Sequence, residues 1–330
     1  MTYDFITVGG TTRDISFFTN QGIIIKNRLD ILHQNVLAFE SGAKVKVDKF
    51  YYSYGGGAAN AAVCLANLGF KVACLAPVGD DESGRLILDN LRSKKIAVDL
   101  IQTIKGQETG SSFVLISPTG ERIIFAQRGA NTKLHIDAGQ IKSLRSARNI
   151  YIASLSGDWQ SELKKIFSIV DANGPRVFWN PGMTQYLQGA SKIAPYLKKV
   201  SVLNSNKDEA IEFIMTSQKH RKLGRRFLNN PENLVRTIHS FGPKVVVVTL
   251  GKEGVIVYDG RKIYRREIIK GKKVVDTTGI GDVFNSSFAA GMILFFDDIE
   301  KSLELALVNT ASKVAHIGAQ NGLIKYPVKS

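Results

Sequence analysis

At 330 residues with 44% hydrophobic content, the chain can bury one large α/β domain or a large domain with a small appendage. Its 22% charged residues are those of a soluble globular protein, and no run approaches the ~18–20 apolar residues that span a bilayer, which excludes a membrane role. The net charge of +15 favours anions such as nucleotides or sugar phosphates; the basic clusters at 219–226 and 261–273 carry no nucleic-acid motif and no interleaved aromatic platform, so no nucleic-acid partner is expected.

The opening MTYDFITVGG lacks a basic n-region, an apolar h-region and a cleavage site. It reads as a first β-strand, and a cytoplasmic location is expected. Residues 15–54 hold short strand-like runs at 22–26, 36–39 and 44–47 and no convincing helix. From about residue 55, apolar runs at 71–77, 149–155, 176–180, 200–204 and 244–250 alternate with helical patterns at 58–68, 84–93, 161–172 and 208–215. Continuous apolar strands between helices predict a mainly parallel sheet covered on both faces, an α/β/α sandwich of three layers. A second interruption at 111–128 reads as a hairpin with its turn at Pro118–Glu121.

The expected organisation is therefore a catalytic core of residues 1–14, 55–110 and 129–330, with 15–54 and 111–128 as a small β-sheet lid over the carboxyl edge. An apolar outer face on that lid, through Phe17, Phe18, Ile23, Ile25, Phe113 and Leu115, would suit a homodimer interface. Cys64 and Cys74 lie in apolar segments at no metal spacing and are expected to be reduced, buried thiols.

The strongest chemical signal is Asp276-Thr277-Thr278-Gly279-Ile280-Gly281-Asp282 before an apolar helical stretch. Glycines at a helix start let backbone N–H groups and the helix dipole hold an anion. Asp282, in the first turn, would accept a proton from an attacking hydroxyl, or merely cap the helix. Gly55-Gly56-Gly57 opens an Ala-rich helix containing Asn60, whose amide both donates and accepts, as a diol requires. Asp14 follows the first strand, where a carboxylate could grip two hydroxyls or serve a turn. Asn206 and Glu209 have the spacing either of a capping box or of residues that orient Mg²⁺-bound waters. Thr249, Gly251 and Gly254 end another strand, near a nucleotide or in a β-turn. The sequence has no Walker A motif, no GxGxxG after the first strand and no HExxH.

Together these segments resemble the ribokinase-like (PfkB-type) carbohydrate kinases. DTTGIGDVFNSSFAAG at 276–291 is similar to that family's C-terminal signature, and GGGAANAAVCLANLG at 55–69 to its N-terminal one. VGDDESG at 78–84, NSNKDEA at 204–210, TLGKEG at 249–254 and GAQ at 318–320 fall in the family's order. The resemblance implies a ribokinase-like fold and ATP-dependent transfer of a phosphoryl group to an alcohol of a small sugar or, alternatively, a nucleoside. It gives Asp282 the role of base and Gly279, Ile280 and Gly281 the anion-hole amides. Asp14, Gly56, Gly57 and Asn60 would bind the acceptor. Asn206 and Glu209 would act at the Mg²⁺–phosphate end, Glu209 in the outer shell of the metal. Thr249, Gly251 and Gly254 would flank ATP, and Asn309 would lie near adenine. Asp276, Thr278 and Gly318 match part of a monovalent-cation site, which predicts stimulation by K⁺. A non-catalytic sugar- or nucleotide-binding regulator is the alternative from another class, opposed by the intact Asp282 and its glycines.

Two stretches bear on the acceptor. Ser154-Leu155-Ser156-Gly157 lacks the acidic residue that ribose-specific members carry there, whereas Gly129-Ala130-Asn131 resembles a stretch of ribose and nucleoside members. Arg128 is an added charge near the pocket that would either meet a phosphate or carboxylate on the acceptor or simply be solvated.

Overall fold

The computed structural model describes residues 2–26, 35–116, 122–220 and 223–325. In chain order its strands are β1 (Phe5–Val8), β2 (Thr12–Phe18), β3 (Ile23–Lys26), β4 (Asn35–Ala38), β5 (Lys49–Gly55), β6 (Val72–Leu75), β7 (Pro77–Gly79), β8 (Gln102–Ile104), β9 (Ser111–Ile116), β10 (Arg122–Gln127), β11 (Asn149–Ile152), β12 (Arg176–Trp179), β13 (Val202–Asn206), β14 (Val245–Thr249), β15 (Val255–Tyr258) and β16 (Ile263–Arg266). The helices are α1 (Gly57–Asn67), α2 (Glu82–Ser93), α3 (Ala138–Ser146), α4 (Trp159–Ser168), α5 (Met183–Tyr186), α6 (Ala190–Leu197), α7 (Lys207–Thr216), α8 (Arg225–Leu228), α9 (Pro231–His239), α10 (Ile280–Leu294) and α11 (Ile299–Lys313).

Eight strands form the central sheet in the order β16-β15-β14-β13-β12-β11-β1-β6. Pairing is parallel from β6 to β14 and antiparallel at β15 and β16. Alternate residues of each strand feed two separate cores. Ile6, Val8, Val246 and Val248 pack under α3, α4, α6, α7 and α9, while Phe5, Val245 and Val247 pack under α1, α2, α10 and α11. Burial on both faces is why these strands read as unbroken apolar runs. The core is the three-layer α/β/α sandwich with a mainly parallel sheet expected from the sequence.

Four strands form a second sheet, in the order β10-β9-β2-β5. It joins the two β excursions, but its boundaries differ from expectation. β2 begins at Thr12, so Asp14 is a strand residue of this sheet and not a turn residue after β1. Residues 44–47 form no strand; β5 supplies the pairing instead. β3 and β4 make a separate two-stranded ribbon. The hairpin turn expected at Pro118–Glu121 lies outside the described residues.

The two faces of the four-stranded sheet invert the usual pattern of apolar inside and polar outside. In register, Asp14 stands beside Ser53 and Ser112, with Ser16 two residues along the same face. Asp14, Ser16 and Ser53 are all buried. The opposite face aligns Ile15 with Tyr52 and Phe113, Phe17 with Phe50, and Phe113 with Phe125. There Phe50, Tyr52, Phe113 and Phe125 are about half exposed, at 60%, 60%, 46% and 57%. Phe18 falls on the other face, against Tyr51, and Leu115 is buried, so neither belongs to the outward apolar set expected from the sequence. Cys64 and Cys74 are buried and unpaired, as expected, and burial raises both thiols, Cys74 to about 12.

Candidate active site

The loop 276–279 turns into α10 through Gly279, whose φ of 71° is left-handed. A Cβ there would collide with Ala319, so only glycine lets the loop pack against residues 318–320. The first-turn amides of a helix have no intrahelical acceptors. That of Ile280 bonds Thr277 O at 3.3 Å, which turns it away from the anion-holding role expected of it. At Gly281 a side chain would meet nothing within 4 Å, so the helix start is open on that side.

Asp282 sits in the first turn of α10. Its Oδ2 accepts a hydrogen bond from Asn60 Nδ2 at 2.8 Å, and Asn60 Oδ1 in turn accepts from Gln320 Nε2 at 3.1 Å. Gln320 is itself held by Asn90 Nδ2 at 2.8 Å. Asn60, expected to read acceptor hydroxyls, therefore spends its first donor and acceptor on orienting Asp282. Gly56 and Gly57 allow this approach. A Cβ on Gly56 would strike Gly10 O and Thr11, and one on Gly57 would strike Ala153 with the Asp282 carboxylate only 3.6 Å away.

Asp14 reaches the same locality from the four-stranded sheet. Burial raises its pKa, bonds from Thr12 and Ser112 oppose the rise, and the charge of Asp282 adds to it. Its Oδ1 is buried without a hydrogen-bond partner, as are Ser16 Oγ and Ser53 Oγ. Gly55 lies so close that a Cβ there would overlap the Asp14 carboxylate. Asn131, part of the Gly129-Ala130-Asn131 stretch, works on the backbone instead. Its amide clamps Thr11 N at 3.0 Å and Thr11 O at 2.7 Å, which fixes the chain just before Asp14. Arg128 is exposed and reaches Thr184 Oγ1 at 3.4 Å.

Asn206 and Glu209 form a reciprocal capping box at the start of α7, each side chain on the other's backbone N–H at 2.9 Å. Burial pushes the Glu209 carboxyl up to about 7, bonding to Asn206 opposes this, and Asp282 and Asp208 add to the rise. Among the described residues no three His, Cys, Asp or Glu side chains gather as a metal cage. Thr249 ends β14 level with Asn206 at the carboxyl edge, and Gly251 follows it and faces open space. Gly254 serves the turn into β15, where a Cβ would strike Arg266 O. Asp81, in the VGDDESG segment, caps α2 and takes bonds from Thr109.

Two expectations need correction. Asn309 does not line a nucleotide site: it is fully buried, donating to Ser287 Oγ at 2.8 Å and Cys64 Sγ at 3.4 Å and accepting from Ile324 N at 2.9 Å. It ties α11 to α1 and α10, and its polarity is consumed there. The monovalent-cation site expected at Asp276, Thr278 and Gly318 also differs. Asp276 does gather that loop, taking Thr278 N and Gly318 N at 2.7 Å each. However, Lys313 Nζ donates to Asp276 O at 2.8 Å and lies 3.8 Å from Asp276 Oδ2. A second cation on those oxygens would meet a like charge, so these residues do not fit one. Burial raises the Asp276 carboxyl, but the Lys313 ammonium and the Thr278 and Gly318 bonds outweigh it and hold the group below the usual carboxylate range.

Sequence reasoning missed Lys313, the role of Gln320 and the serines of the inner sheet face. Lys313 does leave one signal: it stands four residues after Asn309, on the face of α11 that also carries the buried Ser302 and Ala306.

Comparison with known proteins gives the family and the fold. The family model for pfkB family carbohydrate kinases matches residues 25–325. A protein described as an uncharacterized sugar kinase from Archaeoglobus fulgidus is 28% identical over 264 residues, covering 78% of this chain and 97% of its own. An ATP-dependent 6-phosphofructokinase from Thermoanaerobacterium thermosaccharolyticum is 27% identical over 304 residues, 86% of each chain. The structure of Arabidopsis thaliana ribokinase complexed with ribose and ATP superposes with a TM-score of 0.77 at 21% identity, covering 98% of this chain and 96% of that one. The chain belongs to the pfkB family of carbohydrate kinases.

Proposed function

We propose that this carbohydrate kinase transfers the γ-phosphoryl group of ATP to a hydroxyl of a small sugar, with Asp282 as the base. The observation that carries this reading is the inner face of the four-stranded sheet. Asp14, Ser16 and Ser53 hold buried oxygens there without partners, and the field of Asp282 reaches Asp14. Buried polar atoms are ordinarily bonded, and the hydroxyls of a polyol offer the missing donors and acceptors. The inner face is thus the acceptor wall, and the sheet acts as a lid that keeps water from the reaction.

In the transfer, the acceptor oxygen bonds to the γ-phosphorus while the bond from phosphorus to the β–γ bridging oxygen breaks and ADP leaves. Asp282, aimed by Asn60, takes the hydroxyl proton. Amides at the start of α10, beside Gly279 and Gly281, hold the transferring phosphoryl oxygens. Thr249 and Gly251 flank the nucleotide. Mg²⁺, when bound, would neutralise charge on the phosphates, and Asn206 and Glu209 would orient its waters. The relatives named above suggest a sugar or sugar-phosphate acceptor; Arg128 would pair with the phosphate of the latter. The exposed aromatic face of the lid, with Phe50, Tyr52, Phe113 and Phe125, suits a second copy of the chain, since exposed apolar patches are seldom idle. No helix among the described residues is long and apolar enough to cross a membrane, and we place the protein in the cytoplasm with its ATP.

The test is ADP release screened over sugars, sugar phosphates and nucleosides, with Asp282→Asn as the control. The variant should lose turnover by about 10²–10⁴-fold while retaining ATP affinity. Near-normal kcat in a folded Asp282→Asn protein would overturn the assignment.

A further inference from the structure

Of the 44 lysines and arginines in the chain, Lys313 is the one that is buried among the described residues, with no exposed surface at all. A charge is taken out of water at a large cost, and apolar replacements of buried ion pairs are often more stable. This lysine ends α11, where the helix carbonyls favour a cation. Its ammonium bonds the carbonyl of Asp276 and faces the carboxylate of the same residue. That residue holds both sides of the catalytic loop through Thr278 N and Gly318 N. Val275 N and Asp276 N are bonded in turn to Val314 O, so the start of the loop is zipped to the end of α11. From Gly318 the chain continues to Gln320, which holds Asn60, which holds Asp282.

We infer that Lys313 is a built-in monovalent cation: its ammonium supplies from within the chain the positive charge that fixes the Asp276–Gly281 loop for phosphoryl transfer, and the enzyme needs no added K⁺. The inference deepens the kinase reading above and rests on it for what the loop does. An ammonium and a potassium ion carry the same charge and both accept oxygen neighbours. Tethering on a four-carbon stem makes the ion permanent, because it cannot dissociate. Lys313 is thus a positioning residue, acting on substrate through Asp276 and the loop amides.

Wild-type protein, Lys313→Ala and Lys313→Met are compared in tetramethylammonium, Na⁺, K⁺ and NH₄⁺ salts. Turnover and ADP affinity by titration calorimetry are both measured. Wild type should change by less than about two-fold between salts in either readout. In tetramethylammonium, Lys313→Ala should lose kcat by about 10–100-fold, the scale expected when a catalytic loop is misplaced. K⁺ or NH₄⁺ should restore much of that loss by entering the space left by the ammonium. Lys313→Met fills the space with an apolar chain and should not be rescued. Wild type stimulated about ten-fold or more by K⁺ would overturn the inference. So would a Lys313→Ala variant that keeps full activity, or one whose loss no cation relieves, which would make the lysine purely a part of the fold. If both variants fail to fold, the salt dependence of wild type decides alone. If wild type turns over no acceptor in the screen, ADP affinity still reads the cation claim, so failure of the kinase reading is seen separately.

Discussion

Asn60 and Asp282, 222 positions apart in sequence, meet through a 2.8 Å hydrogen bond from the amide of one to the carboxylate of the other. The bond joins the glycine-led helix α1 near the N-terminus to α10 near the C-terminus. With Asp282 in its proposed role, it explains why two distant motifs serve one base. Asn60→Ala should lower kcat by about 10–100-fold, since the carboxylate loses its orientation but not its chemistry. Steady-state kinetics should show KM for ATP nearly unchanged. A variant with normal kcat and a raised KM for the sugar would return Asn60 to hydroxyl reading.

Asp14→Ala should reduce kcat/KM for the acceptor by about one to two decades, the loss of one buried hydrogen-bonding group of 1–3 kcal/mol. Because burial raises the Asp14 carboxyl above its ordinary value, it becomes neutral at a higher pH than an exposed aspartate. Acceptor kcat/KM should therefore fall on the acid side in wild type, and Asp14→Asn should remove that limb. A pH profile identical in both proteins would place Asp14 outside the acceptor site.

Glu209 makes a stability prediction of defined sign. Its folded value is about 7 against 4.5 for an ordinary glutamate, so between these the folded state holds a proton that the unfolded state has lost. Stability from this group is therefore full below about pH 4.5 and lost as pH rises towards 7, by an amount on the order of 2–3 kcal/mol. Above 7 the contribution is flat. Thermal melts of Glu209→Gln against wild type should show this slope only in wild type.

The aromatic outer face of the lid should pair two copies. Replacing Phe125, 57% exposed on the edge strand β10, by Glu puts a charge on that face. Sedimentation should show wild type as a dimer at micromolar concentration and Phe125→Glu as a monomer. A wild-type monomer would remove the dimer and leave the acceptor wall untouched.

The sequence by itself determined the three-layer core, because residues buried on both faces must be apolar without interruption, and that pattern survives in one dimension. It also determined the two glycine-bounded loops, since a left-handed φ or a close backbone approach excludes other residues, as at Gly279 and Gly56. Tertiary structure alone decided which polar residues face the reaction and which hold the frame. Asn60, Asn131 and Asn309 are the same residue type in similar apolar surroundings. One aims Asp282, one clamps the Thr11 backbone and one bridges three helices. Likewise Asp14, read from the sequence only as lying after the first strand, stands within β2 because its partners, Ser53 and Ser112, lie 39 (53 − 14) and 98 (112 − 14) positions away. Lys313 belongs to the same class: a lysine on a helix reads as solvated surface until the packing of α10 on α11 removes the water and leaves the oxygens of Asp276 as its counter-charge. Hydrogen-bond partners chosen by long-range packing leave little periodic trace, so their roles become visible only when the chain is folded.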